Sequence, residues 1–174
     1  MDDAVVNLKD LPYRKCVGIV VFNHDGKVWV GRRLMTNIHA NAETSQRWQL
    51  PQGGINENEE PLEAARRELY EETGIRSVKL IKETQDWFHY DFPQEFVGHM
   101  LSSKYRGQIQ KWFAFQFTGD ISEITTNPPP DGNEAEFDQW KWVDLEILPS
   151  IVISFKKHVY MKVVSEFRGS LKQS

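Results

Sequence analysis

The sequence predicts an α/β or α+β domain, on three observations. Apolar, β-rich runs recur along the chain, one helix-spaced segment (61–74) interrupts them, and a second closes the chain at 151–168. At 174 residues and 40% hydrophobic content, the chain fits a single domain over 1–174, with 1–11 as a flexible lead-in. A net charge of −4 argues against a strongly basic nucleic-acid binder, so a polyanionic substrate would have to meet local cations or bound metal. The one cysteine, Cys16, excludes an internal disulfide and lies in the apolar run KCVGIVVF, where it reads as a buried small hydrophobe. The acidic start MDDAVVNLKD is no signal peptide, and no run approaches the ~18 apolar residues of a membrane span, so a cytoplasmic location is expected.

The elements follow in order. Residues 16–22 and 27–32 flank Asn23-His24-Asp25-Gly26 and read as a hairpin with a four-residue turn. The polar stretch 34–47 breaks the pattern and reads as a loop or insertion. Trp48–Leu50 is a short strand leading into a turn at Pro51, Gly53 and Gly54, where a glycine backbone can approach a ligand closely. Pro61 suits a first helical position and Gly74 a helix stop, with Leu62, Ala65, Leu69 and Thr73 forming the stripe that docks on a sheet. Residues 77–82 and 87–92 are strands, and 111–118 (KWFAFQFT) alternates with period two. The proline-rich 123–133 is a long loop, 136–143 (EFDQWKWV) a strand, and 151–168 the last helix.

The helix at 61–74 carries the chemistry. Glu68, Glu71 and Glu72 stand at i, i+3 and i+4, which puts three carboxylates on one side of a helix. Such an arrangement repels itself by a few tenths of a kcal/mol per pair on an exposed helix. A hard divalent cation removes that penalty, and Mg²⁺ is held by few carboxylates together with substrate phosphates. Arg67 is placed to fix one of the carboxylates by hydrogen bonds. A solvated acidic face is the competing meaning of the same charges.

The segment GGINENEEPLEAARRELYEETGI resembles the Nudix box, G-x5-E-x7-R-E-U-x-E-E-x-G-U with U aliphatic. Gly53, Glu59, Arg67, Glu68, Leu69, Glu71, Glu72, Gly74 and Ile75 fill every specified position. The likeness extends through YRKCVGIVVFN, GKVWVGRR, WQLPQGGI, YRGQIQKWFAFQFTGD, EFDQWKWVDLEILP and VISFKKHVY, covering Pro12 to Phe167. In this the chain is similar to bacterial RNA pyrophosphohydrolases and dinucleoside polyphosphate hydrolases, including invasion-associated hydrolases of alphaproteobacterial pathogens, and to plant diadenosine tetraphosphate hydrolases. The 34–47 segment and DGNEA at 131–135 look longer than in shorter members, which touches contacts at the rim rather than the chemistry.

The resemblance implies an α/β/α sandwich with a mixed sheet and metal-dependent hydrolysis of a phosphoanhydride using Mg²⁺ or Mn²⁺. Glu68, Glu71 and Glu72 would hold the ions, with the Gly53 carbonyl and Glu136 as further ligands. Either Glu72 or Glu136 would take the proton from the attacking water. Arg14, Arg33, Lys111 and Lys156 match cations that face the phosphates, where an arginine can grip bidentately. Phe155 matches an aromatic that stacks on a base, its other reading being core packing; Tyr90 either touches phosphates or is packed. The implied substrates are diadenosine tetraphosphate, cleaved to ATP and AMP, and 5′-triphosphorylated RNA, which would lose pyrophosphate. A Nudix enzyme for another nucleoside diphosphate derivative is the nearer alternative, and a non-catalytic nucleotide-binding module the further one. Trp48, Trp87, Trp112, Trp140 and Trp142 read as structural, and His39, His89 and His99 lack zinc-site spacing.

Overall fold

A computed structural model of the protein describes residues 7–35, 46–94 and 104–173. The elements are β1 (Tyr13–Phe22), β2 (Val28–Arg33), β3 (Trp48–Gln49), β4 (Gln52–Gly54), α1 (Pro61–Thr73), β5 (Val78–Glu83), β6 (Phe88–Asp91), β7 (Gly107–Phe117), β8 (Phe137–Val143), α2 (Leu148–Ile151) and α3 (Lys157–Phe167). They form one mixed sheet, with β1 and β7 parallel and the other pairs antiparallel. A parallel pair needs a long crossover, and here the chain from β1 to β7 contains α1.

Because strand side chains alternate between faces, β1 and β7 serve two cores at once. Val17, Ile19, Val21, Phe113, Phe115 and Phe117 pack with Ala64, Ala65 and Leu69 of α1. Val20, Phe22, Trp112 and Ala114 pack with Val159, Tyr160, Val163 and Phe167 of α3. The sheet is therefore covered on both faces, which is the α/β/α sandwich. Pro61 occupies the first turn of α1, and Gly74 ends it in the left-handed region (φ 77°), its N–H donating to the Tyr70 carbonyl. Cys16 is fully buried.

Four boundaries differ from the sequence reading. Gln52–Gly54 is a strand rather than a turn, pairing Val17 with Gly53; glycines lack the alternating apolar signal but still offer backbone donors and acceptors. β7 begins at Gly107 rather than Lys111, because Gln108 and Gln110 are polar residues on a buried face. The C-terminal helix is shorter than 151–168: α2 stops at Ile151, a 3-10 turn spans Ser154–Lys156, and α3 begins at Lys157. Leu8–Asp10 also form a 3-10 turn. Residues 1–6 of the lead-in and 36–45 of the insertion, with His39, lie outside the described residues, as does His99.

Candidate active site

α1 faces β4 across its carboxylates, and Gly53 sets how closely. A Cβ placed on Gly53 would run into Cδ and Oε2 of Glu68, so the Glu68 carboxylate lies directly against the β4 backbone. Arg67 organises the other side. Its guanidinium donates to Glu59 Oε2 (2.8 Å) and Oε1 (3.0 Å), Glu68 Oε1 (2.8 Å), Glu71 Oε2 (3.2 Å) and the Gly54 carbonyl (2.8 Å). Glu59 in turn accepts from the Asn56 N–H, and its hydrogen bond to Arg67 holds its carboxyl below the usual range. The planar fork of an arginine suits this work, since it bonds several acceptors in fixed directions.

Glu72 is on the buried edge of the cluster. One of its oxygens, Oε2, is buried without a hydrogen-bond partner. Burial drives its carboxyl well above the carboxylate range, and Glu68 and Glu136 push the same way; the Gln52 backbone N–H and Arg33 oppose them. Burial also raises Glu68, against the pull of Arg67. Glu136 is raised by burial and lowered by Arg33 and Lys156. Lys156 is 4% exposed and hydrogen-bonds Gln49 Oε1 at 3.2 Å. Burial, then Arg33, lowers its ammonium to about 7, against Glu72 and Glu136. Arg33 has a buried Nε with no partner. Glu72, Glu136, Arg33 and Lys156 thus form one mutually felt charge group at the end of the sheet.

The remaining sequence-predicted residues are placed as follows. The Arg14 guanidinium lies over Gly54 and is felt by Glu68. Tyr90 is 2% exposed, its ring 5.6 Å from that of half-buried Phe155. Lys156 Nζ stands 5.6 Å from the Tyr90 ring and 5.9 Å from that of Phe155. Lys111 shares a row with Val17 and Gly53, and its Nζ is 4.0 Å from Glu83 Oε1. Four further residues were given no role by the sequence: Gln110, which donates to Gln108 and to Gln52, Gln108 itself, and Arg47 with its partner Asp138. The two glutamines lie in the matched stretch YRGQIQKWFAFQFTGD, ahead of the 111–118 alternation.

The donor set fits a hard divalent ion. Glu72 Oε2 is an acceptor with nothing to accept from, and the Glu68 carboxylate lies directly against Gly53. Among the described residues, no three His, Cys, Asp or Glu side chains converge on one point as a finished cage.

The NUDIX domain model matches residues 12–163. The chain belongs to the Nudix family. Its Nudix relatives include the RNA pyrophosphohydrolase of Bartonella tribocorum, 79% identical over 98% of both chains. That of Mesorhizobium japonicum is 54% identical, covering 93% of this chain and 94% of the relative. Among solved Nudix-like structures, the dihydroneopterin triphosphate pyrophosphohydrolase of E. coli superposes with a TM-score of 0.63 at 18% identity, over 89% of this chain and 99% of that one. A C. elegans Ap4A hydrolase binary complex gives 0.58 at 16% identity, over 90% and 98%. These two share the Nudix fold.

Proposed function

We propose that this Nudix protein is a Mg²⁺- or Mn²⁺-dependent pyrophosphohydrolase that removes pyrophosphate from the 5′ end of triphosphorylated RNA. Dinucleoside polyphosphates such as diadenosine tetraphosphate are further substrates of the same site. The reading is carried by one observation: the chain is 79% identical, over 98% of its length, to a relative named RNA pyrophosphohydrolase. Action on RNA 5′ ends puts its work in the cytoplasm and in mRNA decay.

Glu68, Glu71 and Glu72, with the Gly53 carbonyl and Glu136, are the groups to hold the divalent ions. Bound there, such ions neutralise phosphate charge and lower the pKa of water. Arg67 supplies none of this chemistry directly; it keeps Glu68 and Glu71 oriented through its hydrogen bonds. A proton acceptor for the attacking water is at hand in Glu72 or Glu136, the carboxylates that share the site with Arg33 and Lys156. Arg33, Arg14 and Lys156 bind the phosphates and stabilise charge on the leaving group. Lys111 contributes once it turns from Glu83. Phe155, half-buried beside Lys156, stacks on the first base without reading its identity. Tyr90 backs Phe155 from the core.

The test pairs kcat/KM for a short 5′-triphosphate RNA and for diadenosine tetraphosphate, each with Mg²⁺ and with Mn²⁺. RNA preference supports 5′-end processing; dinucleotide preference makes nucleotide clearance the main role. Glu72→Gln should abolish both activities while the thermal midpoint is retained. Full turnover by that variant would remove Glu72 from the chemistry, and activity on neither substrate would sink the reading.

A further inference from the structure

A β-bulge joins the two strands that deliver Arg33 and Glu136. Residues pair as Gly31 with Trp140 and Arg32 with Gln139, but Arg33 pairs with Phe137, leaving Asp138 as the extra residue. Since side-chain facing has period two, one inserted residue reverses the facing of everything beyond it. Phe137 is thereby turned into the core beneath α1, and Glu136, next along, onto the opposite face, where it feels Lys156. Regular pairing would exchange those two directions and drive a carboxylate into the Trp29 and Leu69 cluster.

The bulge is fastened by charge. Asp138 Oδ1 accepts from Arg32 Nε (2.6 Å) and Oδ2 from Arg47 Nη2 (3.1 Å). Arg47, 5% exposed, also donates Nε (3.1 Å) and Nη2 (2.6 Å) to the Arg33 carbonyl, while its own carbonyl accepts the Arg33 N–H at 2.9 Å. On the other edge, the Leu34 N–H donates to the Glu136 carbonyl at 3.1 Å. Arg47 therefore engages both the carbonyl and the N–H of Arg33, and its partner Asp138 is the bulged residue two positions after Glu136. Bulges next to functional sites commonly re-aim a side chain.

We infer that Arg47 and Asp138 are positioning residues for hydrolysis: through the clamped bulge they hold Glu136 toward the phosphates without touching substrate. The inference rests on the proposed catalytic use of Glu136. It gives a task to Arg47, at the end of the 34–47 segment that reads in sequence as a loop or insertion.

A double-mutant cycle tests it. Arg47→Met in the natural background should lower kcat by about tenfold or more, since a misplacement near 1 Å can cost ~10²-fold. In the Glu136→Gln background the same substitution should change kcat less than about twofold, because the residue it acts through is already disabled. Amide exchange at residues 33 and 34 should accelerate at least tenfold in Arg47→Met, a readout independent of turnover. Asp138→Asn, which keeps one acceptor for Arg32 but offers an amide toward Arg47, should repeat both results if Arg47→Met folds poorly. Equal losses of kcat in the two backgrounds, or unchanged exchange at 33 and 34, would overturn the positioning role. A Glu136→Gln variant with full activity would overturn it together with the use of Glu136, leaving the rest of the proposed function standing.

Discussion

Gly53→Ala is the sharpest probe of the site because it adds one methyl group at a defined place. The new Cβ would fall more than 1 Å inside the 3.4 Å at which ordinary van der Waals contact begins, and the atoms in its way are Cδ and Oε2 of Glu68. Glu68 cannot rotate away freely, since Arg67 holds Oε1 at 2.8 Å. The carboxylate must shift by about the overlap, on the order of 1 Å, and such a displacement in a catalytic group can cost ~10²-fold in rate. Overpacking of this kind costs about 1–3 kcal/mol of stability, too little to unfold a typical domain. The expected outcome is a kcat/KM on 5′-triphosphate RNA reduced by roughly 10²-fold, with a cooperative melt still present. Activity within about threefold of the natural protein, in a folded variant, would refute the claim that Gly53 seats Glu68 for the reaction.

Three further outcomes are expected. Tyr160→Phe removes the acceptor of the buried Leu50 N–H, 2.9 Å from the phenol oxygen; the orphaned donor should cost about 1–3 kcal/mol in a denaturant titration. Cys16, whose thiol burial pushes up to about 11, should resist a thiol reagent at pH 7 in the native protein and react once urea unfolds it. Burial raises the Asp138 carboxyl, but Arg32 and Arg47 outweigh it and hold the group below the usual carboxylate range. Its contribution is therefore present above the unfolded value of about 3.9 and fades as pH falls through the lower folded value. The stability gap between the natural protein and Asp138→Asn, followed by urea melts, should be full at pH 7 and narrow toward pH 3; a gap that widened in acid would contradict the ion-pair account.

Much of the site is written along one helix, which is why it could be read without a structure. Glu68, Glu71 and Glu72 share a side of α1 because helical geometry is local, and Pro61 and Gly74 mark its ends through their own backbone preferences. Apolar, β-rich runs likewise announced β1 and β2, and period-two alternation announced the body of β7, while the layered sandwich came from the family resemblance. Residues such as Arg33, Glu136 and Lys156 came from motif resemblance, since nothing local distinguishes them from surface charges.

Tertiary structure decided what depends on neighbours distant in the chain. β4 was hidden because glycines carry no side-chain pattern, and it exists only because β1 offers it hydrogen-bond partners. The break before α3, which puts Phe155 and Lys156 in a 3-10 turn rather than inside a helix, follows from packing that helical periodicity does not encode. Tyr90 alternates as any strand residue would, and only the sheet's cover of α3 and Phe155 puts it in the core. The bulge at Asp138 is the clearest case. One unpaired residue, fixed by arginines from β2 and from the residue before β3, sets which face Glu136 addresses. Sequence by itself determined which groups carry the charge and on what helix, because those relations span only a few residues. Only the folded sheet decided where the charges meet, because register and burial are properties of two strands and never of one.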